Sequence, residues 1–97
     1  MIESFADEAT EDIFNGINSR SARQTLPREL WRVAARKLDQ IDSALSVEDL
    51  RVPPGNRLEI LKHDREGQHS IRINDQFRIC FIWTESGAVN VQIVDYH

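Results

Sequence analysis

The sequence predicts an α+β domain in which two helices pack on one face of an antiparallel sheet, in the order β-α-α-β-β-β. Apolar residues recur at helical spacing in the N-terminal half, whereas short alternating runs separated by turn residues fill the C-terminal half. Close turns join antiparallel neighbours, so the runs of the second half should form a meander. The chain contains no repeat or low-complexity linker, and residues 1–97 are expected to form one domain.

The first elements follow from residues that begin and end helices. Residues 2–5 alternate as a short strand. A helix should follow from Asp7 to Asn15, because acidic residues occupy its first turns and Gly16 can end it. The polar segment from Asn18 to Thr25 is predicted to be a loop.

The longest predicted helix begins near Pro27, a residue that is favoured in a first helical turn. Its apolar residues recur at helical spacing: Leu30, Ala34, Leu38, Ile41 and Leu45. Ser46 can accept a hydrogen bond from the amide of Asp49 and so begin one further turn. The cluster Pro53-Pro54-Gly55-Asn56 then prevents the helix from continuing, and the pattern changes to that of strands.

Four β-runs are expected after this cluster, at residues 58–61, 68–73, 76–83 and 89–94. Because alternate residues of a strand point to opposite sides of a sheet, one face should be apolar and covered by the helices. That face would hold Ile71, Ile73, Phe77, Ile79, Phe81, Trp83, Val89, Val91 and Ile93. The outer face would hold Arg72, Arg78, Gln92 and Tyr96, together with Cys80, Ile82 and Val94. A β-bulge would reverse this parity beyond it.

Charge and composition restrict the class of protein. The net charge of −4 argues against a general nucleic-acid binder, but it arises in residues 1–50, with six basic and ten acidic residues, whereas residues 51–97 hold six of each. No secretory signal or membrane-spanning apolar run is present, so the expected compartment is the cytoplasm. The single Cys80 is expected to be a buried hydrophobe. His63 should be solvated in a turn and His69 half-buried.

Several motifs of the C-terminal half occur together and in order. They are Pro53-Pro54-Gly55-Asn56-Arg57-Leu58-Glu59, Asp64-Arg65-Glu66-Gly67, Ser70-Ile71-Arg72-Ile73-Asn74, Gln76-Phe77-Arg78-Ile79-Cys80-Phe81, and the closing Asp95-Tyr96-His97. This set resembles the HigB branch of the RelE-like toxins, and the β-α-α-β-β-β order agrees with the RelE-like fold. The resemblance covers essentially the whole chain. It implies the toxin of a type II toxin–antitoxin system.

The resemblance further implies a ribonuclease that cleaves mRNA in the ribosomal decoding site without a metal ion or other cofactor. In such cleavage the RNA 2′-hydroxyl attacks the adjacent phosphate, so the protein must move two protons and stabilise charge on the phosphorane. By their place in the family pattern, Arg78 and Lys62 would face the phosphate as cations. Arg57, Arg65 and Arg72 would either contact the backbone of RNA or be plain surface charge.

Proton transfer would fall to the C-terminal residues and to Glu59. His97 titrates nearest neutrality, Tyr96 can donate or position through its phenol, and Asp95 can orient a neighbour or hold the strand end. The assignment of acid and base among them stays open. Some members of the branch carry a histidine where Glu59 stands, so Glu59 is either a carboxylate that replaces this base or a structural residue.

Two other functions compete with this one. A ParE-like gyrase poison would have the same fold and no RNA chemistry, and it would not need Arg78 together with Tyr96 and His97. A catalytically silent protein that only binds an antitoxin is the third alternative. For the ribonuclease, the implied partners are a HigA-like helix-turn-helix antitoxin, the ribosome and mRNA, with operator DNA bound only through the antitoxin complex.

Overall fold

The computed structural model describes residues 1–96 and has an α+β architecture, which confirms the predicted fold class. Within these residues the helices are α1 (Glu8–Asn15), α2 (Arg20–Thr25) and α3 (Trp31–Ser43). The strands are β1 (Glu59–Ile60), β2 (His69–Arg72), β3 (Phe77–Thr84) and β4 (Gly87–Asp95), and they form an antiparallel meander in chain order. Short 3₁₀ turns lie at Arg28–Leu30, Val47–Arg51, Pro54–Asn56 and His63–Arg65. No helix of the described chain is long and apolar enough to cross a membrane.

The N-terminal segment joins the sheet beside β4. Ile2 and Phe5 form isolated parallel bridges with Ala88 and Val91, so the strand predicted at residues 2–5 is present only as two contacts. The approach is close at Gly87, where a Cβ atom would lie 2.1 Å from the carbonyl oxygen of Met1. Glycine is therefore required at this position.

Helix α1 begins and ends where the sequence predicts. The side chain of Asp7 caps it by accepting a hydrogen bond from the Thr10 amide at 2.8 Å, which satisfies one of the free N–H groups of the first turn. Gly16 ends the helix with φ of 74°, in the left-handed region that glycine adopts without strain.

The prediction that residues 18–25 form a loop is wrong, because Arg20–Thr25 is helix α2. Ser19 caps this helix by accepting a hydrogen bond from the Ala22 amide at 3.1 Å. Ala22 is fully buried, and α2 packs against α1. A helix of six residues is too short to show a clear apolar period, and tertiary packing stabilises it instead.

Helix α3 confirms the longest predicted helix, with Ala34, Leu38 and Ile41 fully buried. It begins at Trp31 and not near Pro27, because residues 28–30 form a separate 3₁₀ turn. The helix ends at Ser43, so the prediction that Leu45 continues its apolar face is wrong, and Leu45 is 94% exposed. The further turn predicted after Ser46 is present as Val47–Arg51, where the Asp49 carboxylate accepts from the Ser46 amide at 3.2 Å.

The two faces of the sheet follow the predicted parity up to a β-bulge. Ile79 pairs with Ile93 and Cys80 with Gln92, but the register then shifts, so that Ile82 pairs with Val89. The prediction that Val89 lies on the core face is therefore wrong. Ala88 is fully buried in the core instead. The extra residue lies in β4 between Val89 and Gln92, so the parity of β4 changes there, whereas Trp83 on β3 still packs against the core.

His69 is half-buried, as predicted, and its ring stacks on that of Phe81 with centroids 6.0 Å apart. Its Nδ1 atom is buried and has no hydrogen-bond partner among the described residues. Burial lowers the pKa of His69 below its ordinary value of 6.5; nearby Glu48 acts in the opposite direction and Arg51 in the same one. The folded protein therefore resists protonation of this ring.

The lowered pKa of His69 predicts how the free energy of unfolding depends on pH. Below the ordinary pKa the unfolded chain binds a proton that the folded chain does not, so the free energy of unfolding should fall as the pH is lowered from about 7 to about 5. His69→Phe keeps an aromatic ring at this position but removes the group that titrates, so it should reduce this dependence. Urea unfolding at several pH values measures how the free energy of unfolding changes with pH. Equal pH dependence in the wild type and His69→Phe would contradict the account.

Candidate active site

Arg78 lies at the centre of the candidate site, on the outer face of β3, and only 7% of its surface is exposed. Its Nε atom donates to the hydroxyl of Ser70 at 2.7 Å, and its Nη2 atom donates to the carbonyl oxygen of Arg57 at 2.6 Å. Nη2 also lies 3.4 Å from the carbonyl oxygen of Ser70. One edge of the guanidinium is therefore held entirely by the protein.

The remaining nitrogen of the guanidinium, Nη1, faces Glu59. The Glu59 carboxylate lies 3.6 Å from Nη1, and half of its side chain is exposed to solvent. The ring of Tyr96 lies against the same guanidinium, whose central carbon is 5.7 Å from the ring centroid. Such a contact is favourable because the face of an aromatic ring carries negative charge. The structure thus brings together Glu59, Arg78 and Tyr96.

The turn before β1 aims the Arg57 carbonyl at Arg78. Arg57 adopts a left-handed conformation, with φ of 47°, directly after the 3₁₀ turn Pro54–Asn56. The fully buried Asn56 holds this turn against α3: its Oδ1 atom accepts from Lys37 Nζ at 2.6 Å, and its Nδ2 atom donates to Gln40 at 3.0 Å. Helix α3 already ends at Ser43, ten residues before Pro53, so the proline-rich cluster does not end it; the cluster instead orients the Arg57 carbonyl oxygen that binds Arg78.

Lys37 is a buried cation that the sequence analysis did not single out. Burial lowers its pKa, and the charges of Arg36 and Arg72 lower it further. The hydrogen bond to Asn56 satisfies the buried ammonium group. Lys37 lies three residues after Ala34 and four before Ile41, so the helical spacing places it on the buried face of α3, and this is the signal that could have identified it.

The C-terminal residues are held at the end of β4. The amide of Tyr96 donates to the carbonyl oxygen of Gln76 at 2.7 Å, and the Asp95 carboxylate accepts from the Gln76 side chain at 3.0 Å. Tyr96 is 46% exposed at the end of the strand. His97, predicted to transfer protons, lies outside the described residues.

The other predicted cations surround the central arginine in different ways. Lys62 is exposed at the start of the His63–Arg65 turn, and its side-chain ammonium forms no hydrogen bond or ion pair within the described residues. Arg65 lies over the outer face, where its Nη1 atom is 3.2 Å from Gln68 Oε1 and 3.5 Å from Gln92 Oε1. These positions leave Lys62 available for a ligand and partly restrain Arg65.

The side chains of Arg72 and Arg57 differ in how accessible they are to a ligand. Arg72 on β2 lies directly opposite Arg78 on β3, and two like charges in this position repel each other. The guanidinium of Arg72 forms an ion pair with Asp75. The side chain of Arg57 is exposed, although its carbonyl oxygen binds Arg78. Of the three arginines predicted to contact RNA, Arg57 is therefore the most accessible and Arg72 is directed toward a carboxylate.

Cys80 is fully buried, as predicted. Burial raises the pKa of its thiol, although the charges of Arg65 and Arg78 act in the opposite direction. The thiol is therefore protonated near neutral pH and is a poor nucleophile. Among residues 1–96 no group of three or more His, Cys, Asp or Glu side chains could hold a metal ion.

Comparisons with known proteins agree over most of the chain. Residues 3–97 match the model of a family described as the RelE-like toxin of the type II toxin–antitoxin system HigB. The chain is 40% identical to Toxin HigB-1 of Vibrio cholerae serotype O1 over 93 residues, which cover 96% of this chain and 95% of that protein. It is also 40% identical to an uncharacterized protein of Haemophilus influenzae over 72 residues, 74% of this chain and 70% of that one.

Proposed function

The chain belongs to the HigB-like family of RelE-like toxins of type II toxin–antitoxin systems, and from this premise we propose that it is a ribosome-dependent mRNA endoribonuclease that inhibits translation. The observation that supports this most is the cluster of Arg78, Glu59 and Tyr96 on the outer face of the sheet. RNA cleavage needs a cation for the phosphate and groups that transfer protons. A buried arginine whose Nη1 faces a half-exposed carboxylate, with a phenol beside it, meets these needs. No metal ion has a role in this scheme.

The proposed reaction is attack of an RNA 2′-hydroxyl on the adjacent phosphate. The bond between the 2′-oxygen and phosphorus forms and the bond between phosphorus and the 5′-oxygen breaks, which yields a 2′,3′-cyclic phosphate and a 5′-hydroxyl. Glu59 accepts the proton of the 2′-hydroxyl, and the pair Tyr96 and His97 supplies the proton to the leaving 5′-oxygen. Arg78 binds the phosphate through Nη1 and stabilises the charge that develops on its oxygens.

Lys62 is a second phosphate ligand in this proposal, because its side chain is exposed and its ammonium group has no partner within the described chain. Arg57, Arg65 and Arg72 contact the backbone of mRNA or ribosomal RNA around the site. Such contacts depend on charge and not on base sequence, so they weaken as salt is raised. Asp95 holds the end of β4 and thereby the position of Tyr96.

Membership of the family implies an antitoxin partner. We further propose that this antitoxin is a HigA-like helix-turn-helix protein, and that the toxin reaches operator DNA only through the complex. The antitoxin would supply the recognition helix that enters the major groove. This chain offers no comparable helix among its described residues, since α3 is its longest and buries Ala34, Leu38 and Ile41 in the core.

Cleavage of a defined mRNA on purified ribosomes tests the proposal. The untagged protein should cut mRNA that is bound to ribosomes and should leave the same RNA intact without ribosomes. The downstream fragments should carry a 5′-hydroxyl, which polynucleotide kinase labels without prior phosphatase treatment. Fragments that carry a 5′-phosphate would contradict attack by the 2′-hydroxyl. Intact mRNA together with inhibited DNA supercoiling by gyrase would favour the ParE-like alternative.

A further inference from the structure

Ser70 is a buried hydroxyl residue in the middle of the outer face. It lies on β2, paired with Glu59 on one side and with Cys80 on the other, and its surface is fully buried. A buried hydroxyl group is unfavourable unless it forms a hydrogen bond. The hydroxyl of Ser70 accepts one from Arg78 Nε at 2.7 Å, and this is a bond to a charged donor, which is stronger than one to a neutral donor.

This bond acts on the orientation of the whole guanidinium. The group is planar and its five N–H donors have a fixed arrangement, so holding Nε and Nη2 fixes the plane and the direction of Nη1. The carbonyl oxygens of Arg57 and Ser70 hold Nη2, but the Ser70 hydroxyl is the only acceptor within residues 1–96 that binds Nε. Without it, the planar guanidinium can swing about the bond from Cδ to Nε and about the other side-chain torsions.

We propose that Ser70 is a positioning residue that fixes the guanidinium of Arg78 so that Nη1 faces the phosphate at the cleavage site. This inference rests on the proposed ribonuclease function and adds a residue to it. Ser70 does not touch the substrate, because its hydroxyl is buried beneath the arginine. It acts only through Arg78.

Ser70→Ala should lower the single-turnover rate of mRNA cleavage on programmed ribosomes by about 10- to 30-fold, in keeping with the loss of one hydrogen bond to a charged group. Ser70→Thr retains the hydroxyl and should restore most of the rate. Binding of the toxin to its antitoxin should not change. The near-isosteric Ser70→Cys, kept reduced, covers the case in which Ser70→Ala does not fold, and its weakly accepting sulfur should lower the rate about 3- to 10-fold.

Thr10 provides a matched control for burial of a hydroxyl group. It is also fully buried, and its Oγ1 atom accepts a hydrogen bond from the Ile93 amide at 3.0 Å, whereas the hydrogen bonds of Arg78 go to Ser70 and Arg57. Thr10→Ala should lower the melting temperature, as Ser70→Ala does, but the cleavage rate at a temperature where both variants are folded should stay within about 2-fold of wild type.

A double-mutant cycle with Arg78→Lys separates positioning from general stabilisation. Lysine has no Nε donor, so in the Arg78→Lys background Ser70→Ala should change the rate by less than about 3-fold. An equal loss in both backgrounds, or a Ser70→Ala variant that cleaves like the wild type, would overturn the inference and leave the proposed function intact. Absence of cleavage by the wild-type protein would overturn both.

Discussion

Replacing Arg78 with alanine should lower the rate of mRNA cleavage on programmed ribosomes by roughly 100- to 1,000-fold. Its guanidinium is fixed on one edge by Ser70 and Arg57 and presents Nη1 beside Glu59. A charge that is already oriented needs no reorganisation when the phosphorane forms, so its removal acts mainly on the transition state. Single-turnover cleavage of one defined mRNA measures the effect.

Two further variants make this result specific. Arg78→Lys keeps a positive charge but loses the planar arrangement of donors, so it should restore only part of the rate. Arg51→Ala removes an exposed arginine that pairs with Glu48 at the surface, and it should cleave like the wild type. Unfolding of all three variants is followed in parallel. A folded Arg78→Ala variant with the wild-type rate would remove Arg78 from the reaction.

Glu59→Gln should lower the same rate by about 100-fold, the lower end of what a positioned general base contributes. The amide keeps the size of the side chain and removes its ability to accept a proton. The loss should appear in the chemical step, with little change in the affinity for ribosomes. Single-turnover rates at saturating protein measure the first quantity and sedimentation with ribosomes measures the second.

Glu48→Gln is the matched control, because Glu48 is also an exposed carboxylate paired with an arginine but lies outside the site. It should leave cleavage unchanged. If Glu59→Gln cleaves as fast as the wild type, Glu59 serves only as a counter-ion of Arg78. The alternative that Glu59 is a structural residue would then be the correct one, and the base would have to be sought among the C-terminal residues.

The sequence predicted the elements whose signals are local. Asp7 and Gly16 mark the ends of α1, and the apolar spacing from Leu30 to Ile41 defines α3. Helix α2 was missed because six residues carry no period, and burial of Ala22 decides its structure. The sequence places Val89 on the core face, because the bulge in β4 between Val89 and Gln92 depends on pairing between strands, which no single strand discloses.

In the candidate site too, the sequence predicted some residues and missed those whose roles depend on distant contacts. The family motifs pointed to Glu59, Arg78 and Tyr96, and the structure places these three side chains together. The residues that hold them were not predicted: Ser70 looked like any strand serine, and Asn56 like part of a turn. Their roles depend on contacts between residues distant in sequence. Residue types and spacing can identify reactive groups more readily than the groups that orient them.

The most direct test of the account is 5′-end mapping of translated mRNAs after brief induction of the untagged chain, beside Arg78→Ala and Tyr96→Ala. We expect new ends inside reading frames, in register with codons, that are absent from both variants. Such ends would support cleavage on the ribosome by the cluster on the outer face. Growth arrest with intact mRNA would contradict the ribonuclease function and favour a toxin that binds gyrase, and the roles proposed for Glu59, Ser70 and Arg78 would have to be withdrawn.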